Sequence, residues 1–221
     1  GLETVLRDVF AEATIRDALT NLLITSYDTE HMEPFFFKKR PLRGGWERDL
    51  NFYMRDAARA SSAAPTYFEP ALIGPVGDSL KRFCLIDGGV FANNPAMCAY
   101  VEARKIYPRA KRYVLVSLGT GRSNSSFPYD EVRSWGFLEW IRPSNGTPLA
   151  TIMGSGQSEC VDHQLEKLPG VDFYRIEGRL TPGRDEIDDA SEENLQRLSR
   201  IAEGMIRANS EKLDRICRKL G

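Results

Sequence analysis

Residues 85–96 read Leu-Ile-Asp-Gly-Gly-Val-Phe-Ala-Asn-Asn-Pro-Ala, and this stretch decides the expected fold. Residues 81–87 (KRFCLID) predict a buried strand, because a short apolar run bounded by turn residues is typical of a covered sheet. Gly88-Gly89 ends that strand, and Asn94-Pro95 has the cap-then-proline pattern that opens a helix. The predicted order is strand, tight turn, helix, with Asp87 at the carboxyl end of the strand.

The next strand along the chain is predicted at residues 113–118 (YVLVSL), and Gly119-Thr120-Gly121 ends it as a plain turn. A strand, a helix and a second strand in this order imply a parallel crossover. The sequence therefore predicts an α/β fold in which residues 81–87 and 113–118 lie in one sheet.

The remaining elements follow from apolar periodicity and from capping residues. They are a helix from residue 2 to 10, strands at 21–27 and 34–38, a helix at 49–60 capped by Asp49, and one long C-terminal helix that carries apolar residues from Leu195 to Leu220.

Composition excludes several classes of protein. The 221 residues include 30 Lys and Arg against 31 Asp and Glu, so no excess of positive charge favours binding to nucleic acid. No apolar run approaches the length of about 20 residues that spans a bilayer, so no transmembrane segment is expected. The four cysteines are widely separated, which predicts buried free thiols and no metal site. The absence of a disulfide pattern favours a cytoplasmic location.

Asp87 is the first candidate for chemistry, since open α/β sheets hold ligands and catalytic groups at the carboxyl ends of their strands. Gly88 and Gly89 carry no Cβ that would obstruct a ligand. Three residues of this kind also occur in ordinary strand-to-helix turns, and the wider sequence has to separate the two interpretations.

The wider sequence resembles the patatin-like phospholipase family. The motif around Asp87 is similar to the family's D-G-G or D-G-A signature followed by N-N-P, residues 58–68 (ARASSAAPTYF) are similar to its A-A-P-x-Y-F segment, and residues 117–121 match its S-L-G-T-G turn. Residues 188–191 and Asn194-Leu195 also resemble bacterial members.

This resemblance implies a three-layer α/β sandwich with a mostly parallel central sheet and a serine acyl hydrolase that acts on lipid or other ester substrates. In the family a Ser-Asp dyad suffices, and Asp87 matches its base. Gly88 and Gly89 would shape the loop that aims the carboxylate. The resemblance implies neither a metal nor an organic cofactor.

The family's nucleophilic serine lies in a G-x-S-x-G elbow before the D-G-G motif, and no serine of this chain has glycine at both required positions. We therefore expect residues 1–221 to be the C-terminal part of a single patatin-like domain, whose missing N-terminal segment supplies the serine and the oxyanion loop. The chain by itself is expected to be inactive.

Two other functions stay open. An absent serine followed by Asp87 and then His163 would have the chain order of a Ser-Asp-His hydrolase, although a lone helical histidine is more often a surface or packing residue. Alternatively, the protein is a non-catalytic relative of these enzymes that kept the fold, lost the serine and binds lipid or a protein partner.

Two segments suit a peripheral contact with a membrane. One is aromatic and apolar; core packing is its favoured interpretation, and an interfacial or acyl-chain contact is the alternative. It contains Trp135, Phe137, Leu138, Trp140 and Ile141. The other is basic, with a solvated loop as its alternative, and contains Lys38, Lys39, Arg40, Arg43 and Arg48.

Overall fold

A computed structural model describes residues 1–39, 50–122, 126–142, 147–180 and 188–220. It divides into two compact units, Gly1–Pro108 and Arg109–Gly221. The first unit holds strands β1 (Leu22–Asp28), β2 (Glu33–Lys39), β3 (Ala71–Ile73) and β4 (Phe83–Asp87), and helices α1 (Leu2–Phe10), α2 (Met54–Ser61), α3 (Gly89–Ala92) and α4 (Ala96–Ile106). The second holds β5 (Tyr113–Leu118), β6 (Val171–Ile176), α5 (Tyr129–Val132), α6 (Phe137–Ile141), α7 (Pro148–Lys167), α8 (Glu192–Ala208) and α9 (Ser210–Leu220).

The sheet of the first unit has the order β2-β1-β4-β3, and each neighbouring pair is antiparallel. Connection length explains this direction for the β1–β2 and β3–β4 pairs. Residues 29–32 join β1 to β2 and residues 74–82 join β3 to β4, and links this short form hairpins, whereas a parallel pair needs a crossover of a dozen residues or more.

The core of the first unit is aromatic. Phe35, Phe37, Phe52 and Phe83 meet at ring centroid distances from 4.8 to 6.0 Å, mostly edge to face or tilted. Leu85, in the middle of β4, is fully buried against this cluster. Strand β4 is thus fixed in place two residues before Asp87.

Strands β5 and β6 of the second unit are parallel, in register from Tyr113 opposite Val171 to Leu118 opposite Ile176. The long connection between them contains α5, α6 and α7, as a parallel pair requires.

The predicted α/β class is confirmed, and its parallel component is the β5–β6 pair. The antiparallel sheet of the first unit differs from the mostly parallel sheet expected. Strand β4 pairs with β1 and β3, while β5 pairs with β6. Among the described strands, the two segments predicted to share one sheet, residues 81–87 and 113–118, therefore belong to different sheets.

Most predicted elements lie where the sequence placed them, and α1, β1, β2, β4, α4 and β5 are confirmed. The predicted start of the second helix is wrong, and Asp49 lies outside the described residues. Helix α2 begins only at Met54, because the chain before it is held extended: Ile15 N–H donates to the Phe52 carbonyl at 2.9 Å, and Met54 N–H to the Ala13 carbonyl at 2.8 Å.

The prediction of a single C-terminal helix is also wrong. Helices α8 and α9 meet at Asn209, whose backbone leaves the helical region at φ −112° and ψ 16°. The Asn209 side chain donates to the Met205 carbonyl at 2.9 Å, beside the backbone N–H of Asn209, which donates to the same carbonyl at 3.0 Å.

The cysteines are free thiols, as predicted, but they are not all buried. Cys84 and Cys98 are half-buried, and Cys160 and Cys217 are exposed. Within the described ranges, the longest apolar helical stretch falls short of what a bilayer crossing needs.

Candidate active site

Asp87 is the last residue of β4 and is held by backbone hydrogen bonds on both sides of its turn. Its N–H donates to the carbonyl of Ala63, in the A-A-P segment after α2, at 3.0 Å. Its carboxylate Oδ1 accepts the N–H of Gly89 at 2.8 Å. These two contacts place the half-buried carboxylate between the end of β4 and the start of α3.

Gly88 is required at this turn by close packing. Its backbone is in the right-handed helical region, at φ −69° and ψ −12°, which any residue can adopt. A Cβ at this position would lie 2.5 Å from both the carbonyl carbon and Oγ1 of Thr25 on β1. The glycine therefore allows the turn after Asp87 to approach β1 as closely as it does.

Gly89 keeps the space beside the carboxylate open. A Cβ there would lie 3.2 Å from Oδ1 of Asp87 and 3.6 Å from Oδ1 of Asn93. Oδ1 of Asn94 accepts the N–H of Ala96 at 3.2 Å, a local side-chain turn just before Pro95, which is the N-cap residue of α4. The predicted strand, turn and helix are found, with the short helix α3 (Gly89–Ala92) inserted between Gly88 and the Asn94-Pro95 pair.

Burial raises the pKa of the Asp87 carboxyl above its ordinary value, and the hydrogen bond from Gly89 opposes that rise. The direction suits a general base, since a carboxylate of higher pKa accepts a proton more readily near neutral pH. The structure thus combines a strand-end position, a fixed orientation and a raised proton affinity in one side chain.

The two histidines lie in different settings. His163 is exposed on α7 of the second unit, as a surface histidine would be. His31 lies in the turn between β1 and β2, where its Nδ1 is 2.9 Å from Oδ2 of the buried Asp28. This contact raises the pKa of the His31 imidazole. The pair is a polar contact that the sequence analysis did not foresee.

The S-L-G-T-G turn ends β5, as predicted, and packs against an ion pair on β6. Arg175 donates to Glu177 at 2.6 Å and to the buried Ser117 hydroxyl at 2.7 Å. A Cβ on Gly119 would collide with Oε1 of Glu177 and would lie 2.8 Å from Nη2 of Arg175. Ser117 and Gly119 of this turn are explained by hydrogen bonding and packing within the second unit.

The aromatic segment is only partly packed. Trp135 and Trp140 contact each other edge to face at 5.1 Å, yet Phe137 is 76% exposed and Leu138 is 59% exposed. The interpretation as core packing is wrong for Phe137 and Leu138, because α6 turns both side chains outward.

Of the basic cluster, Arg40, Arg43 and Arg48 lie outside the described residues. Lys38 is paired with Glu102 of α4 at 2.7 Å, and Lys39 donates to the carbonyl of Ala18. Among the residues the structure describes, no three His, Cys, Asp or Glu side chains are grouped as a metal site would require.

Sequence reasoning missed the residues of β1 that support the Asp87 turn. Thr25 and Ser26 are buried polar residues inside a strand that the sequence did predict. Two hydroxyl side chains within an otherwise apolar strand were the available signal, because buried hydroxyls need hydrogen-bond partners.

Comparison with known proteins finds a family to which the region around this motif is similar. The family model described as patatin-like phospholipase matches residues 1–100, which include Asp87, Gly88 and Gly89. Over this range the chain is similar to the patatin-like phospholipase family. The resemblance of the D-G-G and A-A-P segments is thereby confirmed.

Curated relatives extend the similarity beyond the family model. Patatin-like protein 2 of Arabidopsis thaliana is 30% identical over 229 residues, covering 93% of this chain and 56% of the relative. Patatin-like protein 2 of Oryza sativa subsp. indica is 27% identical, covering 96% of this chain and 58% of the relative. Patatin group D-2 of Solanum tuberosum is 26% identical, covering 93% and 57%. The chain thus spans a little over half the length of these family members.

Proposed function

We propose that this chain contributes the base of a Ser-Asp dyad to a lipid acyl hydrolase of the patatin type. The observation that carries the proposal is the Asp87 carboxylate, held at the end of β4 by Gly89 at 2.8 Å, with its pKa raised by burial. The match of residues 1–100 to a family model described as patatin-like phospholipase supports an acyl ester of a lipid as the substrate class.

The nucleophile in this proposal is a serine supplied from outside residues 1–221, since no serine of the chain has the G-x-S-x-G spacing. We assign Oδ2 of Asp87 to accept the serine proton, because Oδ1 is engaged by Gly89. The serine oxygen then attacks the ester carbonyl and forms a tetrahedral intermediate.

Collapse of that intermediate breaks the ester bond, leaves the acyl group on the serine and releases the alcohol, which takes the proton from Asp87. Water then attacks the acyl-serine. Asp87 accepts a proton from the water and returns one to the serine, so that the fatty acid leaves and the dyad is restored. Neither half of this cycle requires a histidine.

The first test is Asp87→Asn in the protein that carries the serine. Loss of a general base is expected to lower kcat by about 10²- to 10⁴-fold, while the fold persists because Asn can still accept the Gly89 N–H. Asp78→Asn is a matched control: Asp78 accepts the N–H groups of Leu80 and Lys81 at 3.1 Å in the β3–β4 loop, so it is also a carboxylate in a turn. Turnover retained by Asp87→Asn refutes the assigned role.

His163→Ala separates the dyad from a Ser-Asp-His triad. Near-normal hydrolysis of a p-nitrophenyl ester supports the dyad, and collapse of activity supports the triad. The isolated 221-residue chain is expected to be inactive on the same ester. The coding sequence upstream of Gly1 is expected to contain G-x-S-x-G after a glycine-rich loop, and failure to find it would overturn the proposal.

A further inference from the structure

Strand β1 places a fully buried hydroxyl directly across from the candidate base. Ser26 is paired with Asp87 in the antiparallel register of β1 and β4, and it is 0% exposed. Residues opposite each other in such a ladder project to the same face, with Cβ atoms about 4.5–5.5 Å apart. A hydroxyl buried this deeply is costly unless it is hydrogen-bonded.

The Ser26 hydroxyl donates to the carbonyl oxygen of Ile86 at 2.6 Å. That carbonyl belongs to the same peptide group as the N–H of Asp87, which donates to Ala63 at 3.0 Å. The two ends of one planar peptide are therefore held from opposite sides, by β1 and by the A-A-P segment. Fixing this plane fixes the direction in which the Cα–Cβ bond of Asp87 leaves the backbone.

The support continues behind Ser26. The Ser61 hydroxyl, at the end of α2, donates to the Thr25 carbonyl at 2.8 Å. Thr25 in turn occupies the space that Gly88 leaves free. Helix α2, strand β1 and the Asp87 turn are thus joined by successive contacts of buried or half-buried residues.

We propose that Ser26 is a positioning residue for Asp87, acting through the Ile86–Asp87 peptide. This inference rests on the proposed function, since it assigns to Ser26 the orientation of the base in that reaction. Ser26 itself takes no proton from the substrate, because its hydroxyl is buried and donates to the backbone.

The test is Ser26→Ala, with Thr29→Ala as the matched control. The Thr29 hydroxyl also donates to a backbone carbonyl of β4, that of Cys84, at 3.2 Å. Cys84 lies three residues before Asp87, so this hydrogen bond does not involve the peptide of Asp87. Each variant removes one hydrogen bond from a hydroxyl to a backbone carbonyl of β4. Only Ser26→Ala removes the hydrogen bond to the Ile86–Asp87 peptide.

Ser26→Ala is expected to lower kcat for a soluble p-nitrophenyl ester by about 10- to 100-fold, because a small misplacement of a catalytic group has an effect of that order. The KM is expected to stay within about twofold, since substrate binding is unchanged. The acidic limb of the kcat/KM profile is expected to move to lower pH, because a freer carboxylate is better hydrated and loses part of the burial that raises its pKa. Thr29→Ala is expected to retain the kcat and the acidic limb of the parent protein.

Ser26→Cys provides a second variant if the alanine variant does not fold. The thiol is close in shape to the hydroxyl but is a weak donor, so it is expected to show the same fall in kcat and the same displacement of the acidic limb. Thermal unfolding of each variant identifies any loss that reflects stability alone.

Five results decide the matter. A fall in kcat with a displaced limb in Ser26→Ala or Ser26→Cys, but not in Thr29→Ala, supports the inference. Parental kcat and limb in the Ser26 variants overturn it, and so does an equal loss in Thr29→Ala. Asp87→Asn is measured in parallel: full activity in that variant overturns the proposed function itself, whereas an inactive Asp87→Asn beside a fully active Ser26→Ala overturns only the role of Ser26.

Discussion

Thr25 on β1 occupies the position that a side chain on Gly88 would need, with 2.5 Å between its Oγ1 and the site of the absent Cβ. One of the other short contacts is with the Thr25 carbonyl carbon, so trimming the Thr25 side chain does not create the missing space. The turn after Asp87 therefore depends on a glycine for a reason that backbone angles alone do not show.

Gly88→Ala is accordingly expected to destabilise the protein by about 1–3 kcal/mol, the usual effect of overpacking. Gly156→Ala is its control, because a Cβ at Gly156 on α7 would meet nothing within 4 Å. That change is expected to stabilise by about 0.5–1 kcal/mol, since alanine loses less backbone entropy in a helix. Urea unfolding measures both, and equal effects would contradict the packing argument.

Asp87→Asn is expected to make the folded protein more stable at neutral pH even as it removes activity. Because burial raises the pKa of Asp87, the folded state favours the neutral carboxyl. The stabilisation from that preference is complete below the unfolded-state pKa of about 3.9 and is lost as pH rises through the raised folded-state pKa. Asn keeps the acceptor for Gly89 and does not ionise.

Thermal unfolding at several pH values checks this expectation. The Asp87→Asn variant is expected to unfold at a higher temperature than the parent near neutral pH, and the gap is expected to close at about pH 4 and below. A gap that stays constant with pH would mean that ionisation of Asp87 is not its cause.

The hydrogen bond between His31 and Asp28 is open to a direct measurement. It is the main cause that raises the pKa of the His31 imidazole, and it joins an exposed ring to a buried carboxylate. Asp28→Asn is expected to lower the pKa of His31, since the variant keeps the acceptor for the turn N–H groups but loses the charge.

The chain has two histidines, so a proton NMR titration resolves one signal for each. The His163 signal serves as an internal reference. An unchanged His31 titration in Asp28→Asn would show that the carboxylate does not govern this imidazole.

The packing of Gly119 predicts a coupling across the β5–β6 pair. Gly119→Ala is expected to destabilise by about 1–2 kcal/mol, because the new Cβ displaces Glu177 from its hydrogen bond with Arg175. In a Glu177→Ala background the same change is expected to cost less. A double-mutant cycle in urea measures the coupling, and strict additivity would show that the two positions act independently.

The sequence predicted the strand that carries Asp87 because its signals are local: a short apolar run, two glycines and the Asn94-Pro95 pair follow one another along the chain. Strand β5 was predicted over the same six residues that form it, for the same reason. The family motifs then identified Asp87 as the residue to consider first.

Those local signals do not determine which strands pair or whether a pair is parallel or antiparallel. An apolar run indicates a buried strand but does not specify the partner, and β4 pairs with β1, which lies 60 residues away at the Ser26 hydrogen bond. For the same reason the contact of Ser26 with the Ile86 carbonyl could not be foreseen. Ser117 and Arg175 are separated by 58 residues, and their bond was equally hidden.

The ion pair over Gly119 has a consequence for how the sequences of relatives vary at this position. A glycine at this position and the Arg175–Glu177 pair depend on each other, since one leaves the volume that the other fills. Among homologues we expect correlated substitution: lineages that acquire a side chain at position 119 will have replaced one of the two charged residues, and lineages that keep both charges will keep the glycine.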